Sequence, residues 1–135
     1  MIEEAELRAA VRGEFGLPLL VPPVDESREA FFVSTPKGSA ERLTRGRPYG
    51  RTIKPWLEGL VKQAESERVA CLVPARTETA WFQELCFACG EVHFLRGRVR
   101  FEGQRGGAPF PSAVVVLGPG TRSGGVFWWD WRRLF

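Results

Sequence analysis

This sequence predicts an α/β fold in one compact domain, and three observations predict it. Segments with helical spacing of apolar residues alternate with short continuous apolar runs, in the order helix, strand, helix, strand, helix, strands. The chain has 135 residues, which is room for a single core. Its composition, 44% hydrophobic and 26% charged, is that of a water-soluble globular domain.

The first helix runs from Ile2 to Phe15. Leu7, Val11 and Phe15 recur every four residues, and Gly16 is a natural stop. Leu17–Val21 is short, apolar and strand-like, and Pro22-Pro23 ends it; Glu29–Ser34 is a second strand. The stretch from Thr35 to Gly50 is loop-like, rich in Gly, Pro and charge. Thr52 caps a second helix, with Ile53, Leu57, Leu60, Val61 and Ala64 on one face and Pro55 in the tolerant first turn. Arg68–Pro74 is continuously apolar after its first residue, as a buried strand is. Thr77 or Thr79 caps a third helix that reaches Cys89 and ends at Gly90, and Trp56, Trp81 and Phe82 have the spacing of core residues. Two strands flank Gly97, and Ser112–Leu117 is another buried strand. Gly118–Gly125 reads as a linker to an aromatic, basic tail.

The formal net charge of +3 is unevenly spread. Residues 1–95 carry 12 Lys and Arg against 14 Asp and Glu, whereas residues 96–135 carry seven Arg against two acids. A basic C-terminal part can meet phosphate backbones, and it can equally be a solvated face. No apolar run is long enough to span a membrane and the acidic start is no signal peptide, so the expected location is the cytoplasm. Cys71, Cys86 and Cys89 are an odd set, which argues against a disulfide framework. Cys86-x-x-Cys89 with His93 and Cys71 could be drawn as a zinc site. A single C-x-x-C inside a helical stretch is more simply buried thiols, so no metal is expected.

Two stretches, "LVPARTETAWF" (72–82) and "FLRGRVRFEG…APFPS" (94–112), follow a proline–tyrosine loop and a Trp-containing helix. In this order they resemble the phage-type DNA N6-adenine methyltransferases, the Dam-like family often encoded by bacteriophages and prophages. The resemblance covers about half the chain, from Pro48 to Leu117. It implies a methyltransferase-like, mainly parallel sheet flanked by helices, with antiparallel strands toward the C-terminus. It further implies S-adenosylmethionine at the carboxyl ends of the strands and an adenine flipped out of DNA. Residues 1–117 would form this domain, and the linker and tail, 118–135, would pack on it.

The family's catalytic loop is Asp, Asn or Ser followed by Pro-Pro and an aromatic residue. Adenine's amino group is a weak nucleophile because its lone pair is delocalised into the ring. The side-chain oxygen and a backbone carbonyl accept its hydrogens, and the aromatic ring stacks on the base. Here the loop reads Gly46-Arg47-Pro48-Tyr49. Pro48 and Tyr49 keep the base side, although a tyrosine there can also simply close a turn. Gly46 offers no side-chain acceptor, and Arg47 sets a fixed positive charge where a sulfonium must approach. The acid expected after the first strand is missing from Leu17–Val24, which leaves Asp25 as the cofactor-binding candidate.

For nucleic acid the candidates are Arg76, just past a strand end, Arg96, Arg98 and Arg100, on one strand face by two-residue spacing, and Arg105 in a Gly-rich turn. The expected function is therefore a Dam-like adenine methyltransferase relative with impaired catalysis, a pseudoenzyme. The alternative is a non-catalytic nucleic-acid-binding or protein-interaction module on the same fold. DNA is the expected partner, and the aromatic tail is a candidate homodimer contact.

Overall fold

A computed structural model describes residues 2–22, 31–34, 40–43, 53–100 and 110–130. The candidates Asp25, Gly46, Arg47, Pro48, Tyr49 and Arg105, the cap Thr52 and the tail residue Trp131 lie outside the described residues.

The elements are β1 (Ile2–Glu3), α1 (Glu4–Phe15), β2 (Leu19–Leu20), β3 (Phe31–Ser34), β4 (Ala40–Leu43), α2 (Ile53–Gln63), β5 (Val69–Pro74), a π-helical turn (Phe82–Phe87), β6 (Gly90–Leu95), β7 (Val99–Arg100), β8 (Ser112–Leu117) and β9 (Val126–Trp129). Five strands form the main sheet in the order β2-β5-β8-β6-β9. Strand β2 is parallel to β5 and β9 is parallel to β6, while β8 is antiparallel to both of its neighbours. Four strands thus point one way and only β8 points back. The fold is α/β, with a mainly parallel sheet and its antiparallel strand toward the C-terminus.

The side-chain alternation of the strands sorts the core into two layers. Val69, Cys71 and Val73 of β5, with Ala113, Val115 and Leu117 of β8, face Ile53, Trp56, Leu57 and Leu60 of α2 and Phe82 and Cys86 of the π-helical turn. Ala70 and Leu72, with Val114 and Val116, face Leu7, Ala10 and Val11 of α1 and the buried Ile2 and Val99. Strands β5 and β8 are apolar throughout because both faces are covered.

Local chemistry explains the ends of the elements. Gly16 adopts φ 68°, and its N–H donates to the Arg12 carbonyl at 2.9 Å, so α1 stops where the sequence predicts. Arg8 donates to Glu4 at 2.8 Å and to the Leu19 carbonyl at 2.7 Å, which ties α1 to β2. The Thr79 hydroxyl oxygen accepts the Phe82 N–H at 3.3 Å, the N-capping bond expected of it. Gly118, at φ 115°, brings the turn after β8 against the turn before β5. A Cβ there would lie 2.6 Å from the Glu67 carbonyl oxygen.

Four expectations are corrected. The first helix begins at Glu4, because Ile2–Glu3 is extended and pairs in parallel with Val99–Arg100. The Ile2 N–H donates to the Arg98 carbonyl at 2.7 Å, and the Ile2 side chain is wholly buried. The stretch expected as loop contains β4, which pairs antiparallel with β3 from Ala40–Ser34 to Leu43–Phe31. The strands flanking Gly97 do not pair with each other, since β6 lies between β8 and β9 while β7 joins β1. Gly118–Gly125 is a pinned connection: the Gly124 N–H reaches the Phe87 carbonyl at 2.9 Å, and the Val92 N–H reaches the Gly125 carbonyl at 2.9 Å. Among the described residues, no helix is long and apolar enough to cross a membrane.

Candidate functional site

In open, mainly parallel sheets, ligands bind outside the carboxyl ends of the strands. Here that edge comprises Val21–Pro22 after β2, Ala75–Arg76 after β5, Arg96–Gly97 after β6 and Asp130 after β9. Because β8 runs backwards, Phe110–Ser112 enter from the same edge. The Ala75 N–H donates to the Pro111 carbonyl at 2.8 Å, and the Arg76 guanidinium lies 5.6 Å from the centre of the Phe110 ring. Arg76 is therefore where strand-end reasoning places it, held by an aromatic partner that the sequence does not announce.

The other arginines do not share one strand face. Gly97, at φ 100°, bends the chain after Arg96, and only Arg100 lies in a strand. Arg96 is largely exposed and sits 3.6 Å from the Asp130 carboxylate at the end of β9. The Arg98 carbonyl takes the Ile2 N–H, and Arg100 is ion-paired with Glu3, donating to it through Nε at 3.1 Å. Arg96 and Arg100 thus each carry a carboxylate partner, on different elements.

Leu19–Pro22, at the end of β2, supply no carboxylate. The acid that the resemblance calls for would have to come from Asp25.

Cys71 and Cys86 are buried core residues, and Cys89 is half-buried against the same core. Burial, then the neighbouring Cys86, push the Cys71 thiol well above its ordinary value; burial, then Cys89, push Cys86 up to about 12. The Cys89 thiol donates to the Glu84 carbonyl at 3.2 Å. The thiolate, which is the metal-binding and nucleophilic form, is disfavoured at Cys71 and Cys86. Among the described residues, no three His, Cys, Asp or Glu side chains converge as an ion would require.

The sequence reading does not single out the buried pair Glu91 and His93. His93 Nε2 lies 3.1 Å from Glu91 Oε2, and Glu91 Oε1 accepts the Arg122 N–H at 2.9 Å. The imidazole packs between the rings of Phe15 and Phe127, at 4.9 and 5.0 Å. The signal was the two-residue spacing, which puts both side chains on the α1 face of β6. The pair anchors the turn that leads into β9.

This pair makes stability acid-sensitive. Burial lowers the His93 pKa below its ordinary 6.5 and Arg122 adds to this; Glu91 and Glu14 oppose it without reversing it. The unfolded chain therefore takes up the proton first, and stability falls as pH drops below 6.5 toward the folded value. For Glu91, burial raises the pKa, but the Arg122 N–H, the His93 hydrogen bond and both cationic neighbours leave it below 4.5. Its contribution is present above 4.5 and is lost on further acidification. Thermal melts should show a falling melting temperature from pH 6.5 downward, and His93→Gln should flatten the upper part of that fall. An unchanged slope in the variant would remove His93 from this account.

A pocket of about 220 Å3, lined by Val61, Ala64, Glu65, Leu117 and Gly118 among others, opens at the opposite edge of the sheet. It is not part of the carboxyl-edge arrangement. Compared with known proteins, the chain matches no protein-family model, no curated protein and no solved structure.

Proposed function

We propose that this protein is a relative of the Dam-like DNA adenine methyltransferases in which methyl transfer is impaired and a nucleic-acid surface is kept. The observation that carries the reading is one of placement. The two stretches that bear the resemblance, 72–82 and 94–112, leave β5 and β6 and enter β8 at one edge of the sheet. That is the carboxyl edge, where a base, its phosphates and S-adenosylmethionine would have to meet. Arg76 and Arg96 stand there, and Pro48 and Tyr49 are assigned to the base. Arg98, Arg100 and Arg105 are assigned to phosphates, and Asp25 to the cofactor. In this reading the protein is of phage or prophage type and acts on DNA in the cytoplasm.

A second reading is a binding module without a cofactor. It is favoured by the Gly46-Arg47 pair, by the missing carboxylate after β2, and by seven Arg against two acids in residues 96–135. Calorimetry with S-adenosylmethionine and S-adenosylhomocysteine separates the two. Saturable heat with either ligand supports the methyltransferase relative. No heat with either, alongside retained DNA binding, replaces it with the module.

A further inference from the structure

The pocket at the amino edge of the sheet lies between the end of α2 and the turn that follows β8, and it holds about 220 Å3. A cavity of about 150 Å3 accepts a benzene ring, so this one has room for a ring and a short arm. Val61 and Ala64 at the end of α2 and Leu117 of β8 supply an apolar wall.

The polar part of the lining has one character. The side chains of Thr121, Ser123 and Cys89 each carry a hydrogen to donate, and each uses it within the chain. The Thr121 hydroxyl donates to the Gly118 carbonyl at 2.8 Å, the Ser123 hydroxyl to the Cys89 carbonyl at 3.4 Å, and the Cys89 thiol to the Glu84 carbonyl at 3.2 Å. A hydroxyl that has given its hydrogen away keeps its lone pairs, so these side chains can offer a guest acceptors alone. Glu65 adds a carboxylate, and no lysine or arginine joins it in the lining among the described residues. Helix α2 ends at Gln63, so the negative end of its dipole lies at the same place.

These observations agree on the sign of the guest. An anion would meet a carboxylate, the negative end of a helix and side chains that only accept. A purely apolar molecule would cover acceptors without pairing them. A primary ammonium brings positive charge and several donors on one atom, and a hydrocarbon body fills the space against the apolar wall. We propose that this pocket is a binding site for a small primary amine. Its ammonium lies among the Glu65 carboxylate and the Thr121 and Ser123 hydroxyl oxygens, and its body packs on Val61, Ala64 and Leu117. The site is separate from the carboxyl edge and does not rest on the function proposed there.

The test uses the full chain and phenethylamine, a cation at neutral pH, and follows backbone amide shifts by NMR. Saturable shifts should concentrate at Val61–Glu65, Cys89 and Leu117–Ser123. Phenethyl alcohol and hydrocinnamate keep the ring but replace the ammonium by a neutral or a negative group. Both should bind more weakly by roughly fivefold or more, the worth of one good exposed ion pair. Glu65→Gln keeps the shape of an exposed side chain and should weaken the amine by about the same factor while leaving the alcohol unchanged. Ala64→Leu fills the pocket and should abolish binding of the amine. Equal affinity of the wild-type protein for all three ligands overturns the proposal, and this comparison needs no variant to fold. So do shifts that fail to saturate or that fall elsewhere on the molecule, unchanged amine affinity in Glu65→Gln, and retained amine binding by a folded Ala64→Leu chain.

Discussion

On the function proposed above, methyl transfer to DNA should be at least a hundredfold to a thousandfold slower than in a Dam-like enzyme with an intact loop. Removing one positioned polar group at a reacting centre commonly costs about that factor, and this chain departs twice within two residues. Gly46 has no side-chain oxygen to accept a hydrogen from the adenine amino group, so one of the two acceptors that let charge build on nitrogen is lost. Arg47 adds a permanent cation where the donor is itself a sulfonium. The cofactor side compounds the loss, since β2 ends in Leu19–Pro22 without a carboxylate. The measurement is transfer of a radiolabelled methyl from S-adenosylmethionine to mixed-sequence DNA. Incorporation at an ordinary rate, abolished by Tyr49→Ala, would show that this loop works in a way the family's chemistry does not describe.

The second large effect concerns the tail. Deleting Val126–Phe135 should destabilise the protein by roughly 3–5 kcal/mol, a large share of the stability of a small domain. Phe127 and Trp129 are half-buried on the α1 face. Phe127 stacks on His93 at 5.0 Å, and Trp129 meets the edge of Phe15 at 5.3 Å. Fully burying a large aromatic side chain is worth about 1.5–3 kcal/mol. Removal also strips β6 of its parallel partner and opens the buried Glu91–His93 pair to water. A melting temperature lower by roughly 10 °C, or aggregation on expression, is expected. A truncated chain that stays in solution with an unchanged melting curve would show that β9 contributes nothing to the core.

Much of the fold was legible because its central elements announce themselves in one dimension. Strands β5 and β8 are buried on both faces, so their sequences are apolar without interruption. Helix α1 ends at a glycine that must take a left-handed conformation. The pairing of β1 with β7 was not legible, because two-residue strands carry no period and their partners are 97 residues apart. Strand β4, Ala-Glu-Arg-Leu, has no strand-like composition and takes its state from pairing with β3. At the candidate site, the position of Arg76 followed from a strand end. The assumed common face of Arg96, Arg98 and Arg100 failed because spacing alone cannot foresee the bend at Gly97, with its φ of 100°. The burial of Glu91 with His93 depended on β9 closing over them, and no local pattern carries that.

The reversed strand β8 governs when this chain can fold. Strands β5 and β6 are neighbours in sequence but never touch in the sheet, because β8 stands between them. Until Ser112–Leu117 have been synthesised, both have an open inner edge. Helix α1 is held back as well, since the Ile2 N–H waits for the Arg98 carbonyl. Few of the sheet's contacts can therefore form in the order of translation, and most of the apolar surface stays uncovered until late in synthesis. A nascent chain stalled near residue 105 should be protease-sensitive throughout. One extended past residue 130 and clear of the ribosome should become protected in a single cooperative step.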